Sequence, residues 1–269
     1  MRDQVFKKVL HYLRVYRVIA ANSFSYILQY RFDVAVNIFT NILWLAVMFF
    51  GIEIIFSNTN SIAGWSKGEI YLLSLIWTIC SDVFVAFFGA TYDIPDKVTD
   101  GNIDLVLTKP LSSSFLSCCN MLLVRAIFRM VVDLLFLIYV VVAFNIKVEM
   151  INFLTSLFLF VAGIFIYFSI TFIAHTLTFW LERINNISEL LNTADYASKY
   201  PLDIWPRKFQ YLLLSFFPIV FTGYIPTAAL LGKLPWYFII YTPILTIILF
   251  AISIKFWNHA IKRYSSASS

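Results

Sequence analysis

Charge is scarce in this sequence, because only 13% of its 269 residues are Asp, Glu, Lys or Arg. Soluble globular domains carry about 25% charged and about 45–50% apolar residues. Here 61% of the residues are hydrophobic, 19% are aromatic, and the mean hydropathy is +0.82. This composition excludes a water-soluble globular protein and predicts an integral membrane protein.

Cysteine is also rare, and its positions exclude two further classes of structure. The cysteines are Cys80, Cys118 and Cys119, an odd number with an adjacent pair and no Cys-x-x-Cys spacing. Such a pattern predicts neither a disulfide framework nor a zinc site. Cys80 lies within an apolar run, where a free cysteine behaves as a small buried hydrophobe.

Signatures of catalytic and nucleotide-binding sites are missing as well. The histidines His11, His175 and His259 form no His-Glu-x-x-His motif and no metal-ligand spacing. The sequence has no Gly-x-Ser-x-Gly nucleophile motif and no phosphate-binding loop of the form Gly-x-x-x-x-Gly-Lys-Ser/Thr. We therefore predict no catalytic residue, no metal site and no cofactor bound by the chain itself.

Long apolar stretches are what the sequence does contain. A helix needs about 20 apolar residues to cross the ~30 Å hydrocarbon layer, and none of the stretches shows the alternation of barrel strands. Six candidate spans are present. They are Val34–Phe56, Ile70–Ala90, a part of Leu116–Ile146, Phe153–Leu181, Phe209–Leu231 and Trp236–Trp257.

The region before the last span has two interpretations. Hydropathy alone makes 182–208 a cytoplasmic loop and Phe209–Leu231 a span. Alternatively, Asn185–Ala197 is a polar span buried among other helices, and 198–235 is an external re-entrant hairpin, whose irregular backbone other protein segments must cover. Prolines favour short helical pieces over one continuous span. The charges of 182–208 cancel, so they do not distinguish the two interpretations. The prolines are Pro201, Pro206, Pro218, Pro226 and Pro235.

The placement of basic residues predicts the orientation, since cytoplasmic loops carry an excess of Lys and Arg. Eleven such residues flank the spans on one side and three on the other, which predicts cytoplasmic termini in a multi-pass protein of the cell inner or plasma membrane. The eleven are Arg2, Lys7, Lys8, Arg14, Arg17, Arg31, Lys97, Lys109, Lys255, Lys262 and Arg263. The three are Lys67, Lys147 and Lys233.

Two segments on the predicted cytoplasmic side are amphipathic. Apolar residues recur at three- and four-residue steps among the basic residues of 1–31, which predicts an elbow helix on the membrane surface. Its function is either attachment to anionic lipid or a lever between a cytoplasmic partner and the first span.

The second amphipathic segment is the charged loop 91–112. Pro95 is suited to begin a short helix and Gly101 to end it in the left-handed conformation. Its apolar side is predicted to comprise Ile94, Val98, Ile103, Leu105 and Leu107. We interpret this loop as a docking site for a soluble partner, with an ordinary solvated loop as the alternative. The candidate docking residues are Asp93, Asp96, Lys97, Asp100, Gly101, Asp104, Lys109 and Pro110.

Five ionisable residues lie inside or near the spans, namely Asp82, Arg125, Arg129, Asp133 and His175. Because Arg125, Arg129 and Asp133 are four residues apart, they share one helix face, and Arg129 and Asp133 are predicted to pair. The two arginines are expected at the cytoplasmic end of span three, where their side chains reach the interface. A lone histidine in a span typically forms hydrogen bonds between helices, so we predict no proton relay.

Three motifs, in this order and spacing, resemble the membrane-spanning permease subunits of ABC exporters of the ABC-2 class. Tyr30-Arg31-Phe32 leads into the first span, as in the branch of that family with a basic N-terminal helix. The segment Asp100–Leu111 is similar to the family's Gly-x-Leu-Asp/Glu-x-x-Leu-x-x-Pro motif, although Asn102 and Ile103 replace residues more usual at this turn. The proline-rich Ser198–Pro206, followed by Phe217-Pro218 and Ile225-Pro226, resembles its external stretch before the last helix.

The resemblance implies an all-α polytopic fold with six transmembrane helices in a single domain, 1–269. It further implies a cytoplasmic elbow at 1–31, a coupling helix at 93–108, a polar span near 184–200 and a re-entrant region at 201–235. The partners would be P-loop ATPase subunits that bind ATP and Mg²⁺, a second permease (the same chain or a paralogue) and membrane lipid, with no nucleic acid.

The implied function is export of an amphipathic, lipid-like or drug-like substrate, with ATP hydrolysed by the partner and not by this chain. One alternative is a membrane-embedded lipid-modifying enzyme, which would need polar groups clustered at one membrane depth. Another is a secondary transporter, which would show broken helices in both halves, whereas the breaks in this sequence concentrate in the second half.

Overall fold

The computed structural model describes residues 2–181, 189, 191, 193–215 and 218–264. These residues are mainly helical, and the only β pairing among them is an isolated bridge between Ile62 and Trp65. The longer helices are α1 (Arg2–Gln29), α2 (Arg31–Ser57), α3 (Lys67–Phe88), α7 (Val124–Ala143), α8 (Met150–Thr176) and α11 (Tyr237–Arg263). The shorter ones are α4 (Ile94–Thr99), α5 (Asp104–Leu107), α6 (Ser113–Cys119), α9 (Arg207–Ser215) and α10 (Tyr224–Leu230).

Five helices of the described chain are long and apolar enough to cross a membrane: α2, α3 with its extension to Thr99, α7, α8 with its extension to Phe179, and α11. They correspond to five of the predicted apolar stretches, so the all-helical membrane architecture is confirmed. The third span is shorter than the stretch Leu116–Ile146, because α6 and α7 are separate helices. The predicted polar span near 184–200 falls partly outside the described residues, at 184–188, 190 and 192.

The hydropathy-based assignment of Phe209–Leu231 as one span is wrong. This stretch contains α9, a 3₁₀ turn at Pro218–Phe221 and α10. Pro206 immediately precedes α9, Pro218 begins the 3₁₀ turn, and Pro226 lies in the first turn of α10. Proline lacks a backbone N–H and fixes φ, so it is tolerated at the start of a helix and interrupts its interior. These positions explain why an apolar stretch of sufficient length does not form one membrane helix.

Helix α3 lies at the centre of the bundle and packs against α7 and α8. Its apolar window is 78% buried, whereas the windows of α2, α7 and α11 are each 17% buried. The helix begins with a capping box in which Ser66 and Glu69 satisfy each other's backbone N–H groups. Among the membrane-length helices of the described residues, α3 is the most enclosed and α8 is next in burial. The apolar faces of the other three are available to lipid or to another protein.

The irregular segment 218–230 is held against α8. The Ser156 hydroxyl of α8 donates a 2.7 Å hydrogen bond to the Pro226 carbonyl of α10. Gly163 on α8 faces the backbone of Phe221, and a Cβ at this position would overlap the Phe221 carbonyl oxygen. The missing side chain thus lets the 3₁₀ turn approach the helix closely.

Substitution of Gly163 by alanine tests this close packing. We expect Gly163→Ala to lower stability by about 1–3 kcal/mol, the usual cost of overpacking, measured as a lower thermal unfolding midpoint in detergent. Gly51→Ala is the matched control, since a Cβ there meets no atom within 4 Å and alanine is the better helix former by ~0.5–1 kcal/mol. Unchanged stability of Gly163→Ala would contradict the described approach of the two segments.

Candidate functional site

The charged segment 93–110 folds as two short helices, α4 and α5, joined by a turn. Pro95 lies in the first turn of α4, and Gly101 has a φ of +75°, a conformation that glycine adopts without steric cost. The predicted start and stop signals are therefore confirmed at the level of local structure. The segment is not one continuous helix over 93–108, because the left-handed residue separates its two halves.

One side of this segment is anchored in the protein core. Ile94, Val98, Ile103 and Val106 are buried in a cluster that includes Trp257 of α11. The prediction of the apolar side was right for the first three residues.

The assignment of Leu105 to the apolar side was wrong, since this side chain is 65% exposed. Within the short α5 turn, Val106 lies three residues after Ile103, and residues at this spacing share a helix face. Val106 is buried in place of Leu105, and Leu107 is half-buried at the edge of the cluster.

The opposite side of the segment is exposed and carries acidic residues. Asp96, Asp100 and Leu105 are exposed, and we call these three residues the acidic face. Lys109 and Pro110 are exposed beyond it, whereas Gly101 and Asp104 are half-buried. Asp93 pairs with Lys97 across one helical turn at 3.3 Å, so these two charges are matched within the segment.

The end of this segment contacts α1 and α11. The Ser112 backbone N–H donates to the Tyr12 hydroxyl at 3.1 Å, and the Tyr12 ring lies edge-on to Phe115 with 4.9 Å between ring centroids. The Trp257 indole N–H donates to the Ser113 hydroxyl at 3.1 Å. A displacement of the segment 93–110 would therefore reach both helices through the residues that directly follow it, 112–115.

A polar cluster joins α2, α3 and α7. The Arg129 guanidinium donates from Nη2 and Nε to one carboxylate oxygen of Asp82, at 2.7 and 3.0 Å. The Asn41 amide of α2 donates to Asp133 at 2.8 Å. Asp82 and Asp133 are both buried, and we call these four residues the polar junction.

The predicted pairing of Arg129 with Asp133 along one helix is thus wrong. Arg129 reaches across to α3, where it neutralises a buried carboxylate that has no other cation in the described structure. Buried charges inside membranes are costly unless they are paired, and Asp133 already accepts the Asn41 amide. The sequence feature that could have predicted this pairing is the isolated Asp82 in an apolar stretch.

The other two ionisable residues lie apart from the polar junction. Arg125 pairs with Asp33 of α2 at 3.0 Å in an exposed position, in accord with its expected place at a helix end. His175 is buried beside Tyr92, with 5.4 Å between ring centroids. The described residues contain no group of three or more His, Cys, Asp or Glu side chains suited to holding a metal ion.

The polar junction lines one cavity, which shares residues with two others. The first, of about 290 Å³, is lined by Asp82, Arg129, Trp44, Trp77 and Tyr196, among others. It shares Trp44 with a second cavity of about 190 Å³, and it shares Trp77 and Tyr196 with a third of about 140 Å³. The three cavities therefore form a series between α2, α3 and the residues just before 200. Polar and aromatic side chains line this series.

Asp195 lines the third cavity, and sequence reasoning did not single it out. It is buried and accepts hydrogen bonds from the Trp77 indole at 3.0 Å and from the Thr222 hydroxyl at 3.3 Å. In the sequence, its negative charge is one of several that cancel within 182–208, so it did not stand out. The alternation of aromatic and acidic residues around it was the available signal.

Polar contacts also tie the proline-rich region to the start of α3, at the end away from 93–110. The Trp65 indole donates to Asp203 at 3.3 Å, and Lys233 pairs with Glu69 at 2.7 Å. Residues 203 and 233 thus lie beside the first turn of α3, whereas the acidic face follows its last turn.

Comparison with models of known protein families found a match over most of the chain. A model described as "ABC-2 family transporter protein" matches residues 42–268, which is most of the chain. A search of curated proteins found no match.

The contribution of the Asp82–Arg129 pair is testable by removing one charge or both. We expect Arg129→Ala to destabilise the protein by about 3–5 kcal/mol, because an unpaired carboxylate remains buried. Asp82→Asn with Arg129→Gln removes both charges and should be less harmful than Arg129→Ala alone, as measured by thermal unfolding in detergent.

Arg125→Ala is the control, since an exposed pair contributes ~1 kcal/mol or less. Equal losses for Arg125→Ala and Arg129→Ala would show that the buried pair has no special role in stability.

Proposed function

The chain belongs to the ABC-2 family of transporter proteins, and we propose that it is the permease subunit of an ATP-driven exporter of amphipathic, lipid-like or drug-like molecules. Multiple apolar helices are those of a multi-pass membrane protein and supply the path, while a separate P-loop ATPase supplies the energy. The observation that carries this proposal is the acidic face, an exposed polar surface fixed to the central helix of the bundle.

The structure of the acidic face suits docking of the ATPase. The apolar side of α4 and α5 is locked into the core with Trp257, so the exposed side is held in a defined position. The exposed Leu105 offers an apolar anchor between acidic residues, an arrangement that suits a groove with basic rims. ATP-driven closure of two such partners would push on this face, on α1 and on α11.

The orientation is the second part of the proposal. The positive-inside rule assigns the acidic face and both termini to the cytoplasm. Residues 201–235 would then be external, as a re-entrant hairpin before α11. The contacts of Asp203 and Lys233 at the start of α3 support this assignment, because that end of α3 is remote from the acidic face.

A second permease is the third part of the proposal. The apolar windows of α2, α7 and α11 are largely exposed in the single chain, and large side chains such as Phe39 and Phe50 of α2 are 62% and 68% exposed. These faces would contact lipid and a second permease, either another copy of this chain or a paralogue, with the path for cargo between the two.

Charge reversal tests docking at the acidic face. We expect Asp96→Lys with Asp100→Lys to weaken association with the ATPase by at least about tenfold, because like charges at an interface are strongly unfavourable. The measurement is co-purification of the ATPase together with stimulation of its activity. The matched control is Glu149→Lys, an exposed charge reversal that precedes α8. Unchanged assembly and unchanged stimulation would refute the docking role of this face.

Cysteine labelling in intact cells tests the orientation. We expect a cysteine introduced at Ile204, which is 42% exposed, to react with a membrane-impermeant maleimide. A cysteine introduced at Leu105 should react only after permeabilisation.

The native cysteines should give little background in this assay. Cys80 and Cys118 are buried, and burial raises the pKa of the Cys119 thiol to about 12, which leaves little reactive thiolate. Labelling at Leu105 from outside the cell would contradict the proposed orientation.

A further inference from the structure

We infer that Lys199 and the groove beside it bind the cargo, and that the cargo is an anionic amphiphile whose acidic head group contacts Lys199 while its aliphatic chain lies along α2. This inference rests on the proposed export function, and it specifies the charge of the substrate and the place where the substrate binds.

Lys199 has aromatic neighbours but no acidic partner in the described part of the chain. Its ammonium group lies 5.1 Å from the ring centroid of Tyr196 and 5.4 Å from that of Tyr200. None of the ion pairs among the described residues includes it. Tyrosine rings orient a cation, but they leave its charge uncompensated.

The nearest acidic residues along the chain are engaged elsewhere. Asp195 accepts hydrogen bonds from Trp77 and Thr222 in the interior, and Asp203 accepts them from Trp65 and Tyr224. Among the described residues the charge of Lys199 therefore has no acidic partner, and an anion from outside the chain would compensate it.

Lys199 lies at the depth of the apolar part of α3. Its backbone carbonyl accepts a 3.4 Å hydrogen bond from the Ser74 hydroxyl. Ser74 is two helical turns after Lys67, which places it about 10 Å from the start of α3 along the helix axis. This contact places the Lys199 backbone at that depth, and an ammonium group that reaches into the apolar layer from there needs an opposite charge or water.

The groove next to Lys199 is apolar and open to the outside of the bundle. It has a volume of about 190 Å³ and is lined by α2 residues that include Trp44, Val47, Gly51 and Ile55. Val47 is 67% exposed, so a ligand could enter sideways from the membrane or from a facing permease. Through Trp44 the groove meets the 290 Å³ cavity of the polar junction, which brings the combined space into the range of small-molecule sites, roughly 300–1,000 Å³.

The charge pattern selects an anion over a cation or a neutral amphiphile. In the groove and the 290 Å³ cavity, Arg129 is matched by Asp82, which leaves Lys199 as the unmatched charge among the described residues that line these two spaces. Asp195 lines the third cavity and neither of these two. An apolar groove that ends at a lone ammonium group is complementary to an aliphatic chain that ends in a carboxylate or a phosphate.

The test is photolabelling of the purified permease, reconstituted in phosphatidylcholine nanodiscs, with a diazirine-bearing 16-carbon fatty acid. Lys199→Gln removes the charge and should reduce specific labelling by about tenfold, the effect of losing one charge-assisted hydrogen bond. Lys199→Arg should restore labelling.

Gly51→Leu fills the groove at a position where a Cβ meets no atom within 4 Å, so it should block labelling by steric exclusion. Lys147→Gln and Ala46→Leu change exposed residues that do not line the groove, and both should label like the unmodified protein.

Competition distinguishes charge recognition from simple partitioning. Oleate should displace the probe from the unmodified protein much better than oleyl alcohol, and Lys199→Gln should abolish this preference. Equal displacement by the two competitors, or undiminished labelling of both Lys199→Gln and Gly51→Leu, would overturn the inference.

Co-purification of the ATPase with the same variants separates this outcome from failure of the proposed function. Loss of labelling with intact ATPase association supports the binding site. A different result is that labelling depends on Lys199 but the permease binds no ATPase. This result would refute the proposed export function and would still support the binding site.

Discussion

The ion pair between Asp82 and Arg129 is the constraint on which the packing of the bundle depends. Helix α3 is enclosed by its neighbours, and a carboxylate in the middle of such a helix requires a cation within reach. Arg129 meets this requirement only if α7 lies at one particular rotation and depth against α3. The hydrogen bond from Asn41 to Asp133 then fixes α2 against the same two helices.

This fixed centre lies between two regions of different character. At one end, α3 leads through a 3₁₀ turn into α4 and the acidic face. At the other end, its first turn contacts the proline-rich region through Glu69 and Trp65. A force on the acidic face would therefore be transmitted along a rigid helix to a region built of short pieces. In the proposed exporter, rearrangement would occur mainly in that region, because its hydrogen bonds are local and its helices are short.

Sequence reasoning succeeded where one local property determines the structure. Length and hydropathy located five membrane helices, and Pro95 and Gly101 located the ends of α4, because proline and glycine restrict or extend the allowed backbone angles of their own residue. It failed where the outcome depends on a distant partner. Arg129 had a carboxylate one turn away at Asp133, yet the partner it contacts lies 47 positions earlier in the sequence. In the same way, the choice between Leu105 and Val106 depended on which side of α5 meets the core.

The described cavities beside Trp44 are open on the α2 side of the single chain. The cavities beside Trp44 lie against α2, whose apolar window is only 17% buried, and Val47 at the rim of the groove is exposed. A molecule bound there would have protein on one side and either lipid or a second permease on the other. A second permease placed against α2 would convert this open groove into one half of an enclosed passage, with Lys199 inside it. Release of an anionic cargo would then combine separation of the second permease from α2 with rearrangement of the proline-rich region, since the wall formed by α3, α7 and the polar junction stays in place.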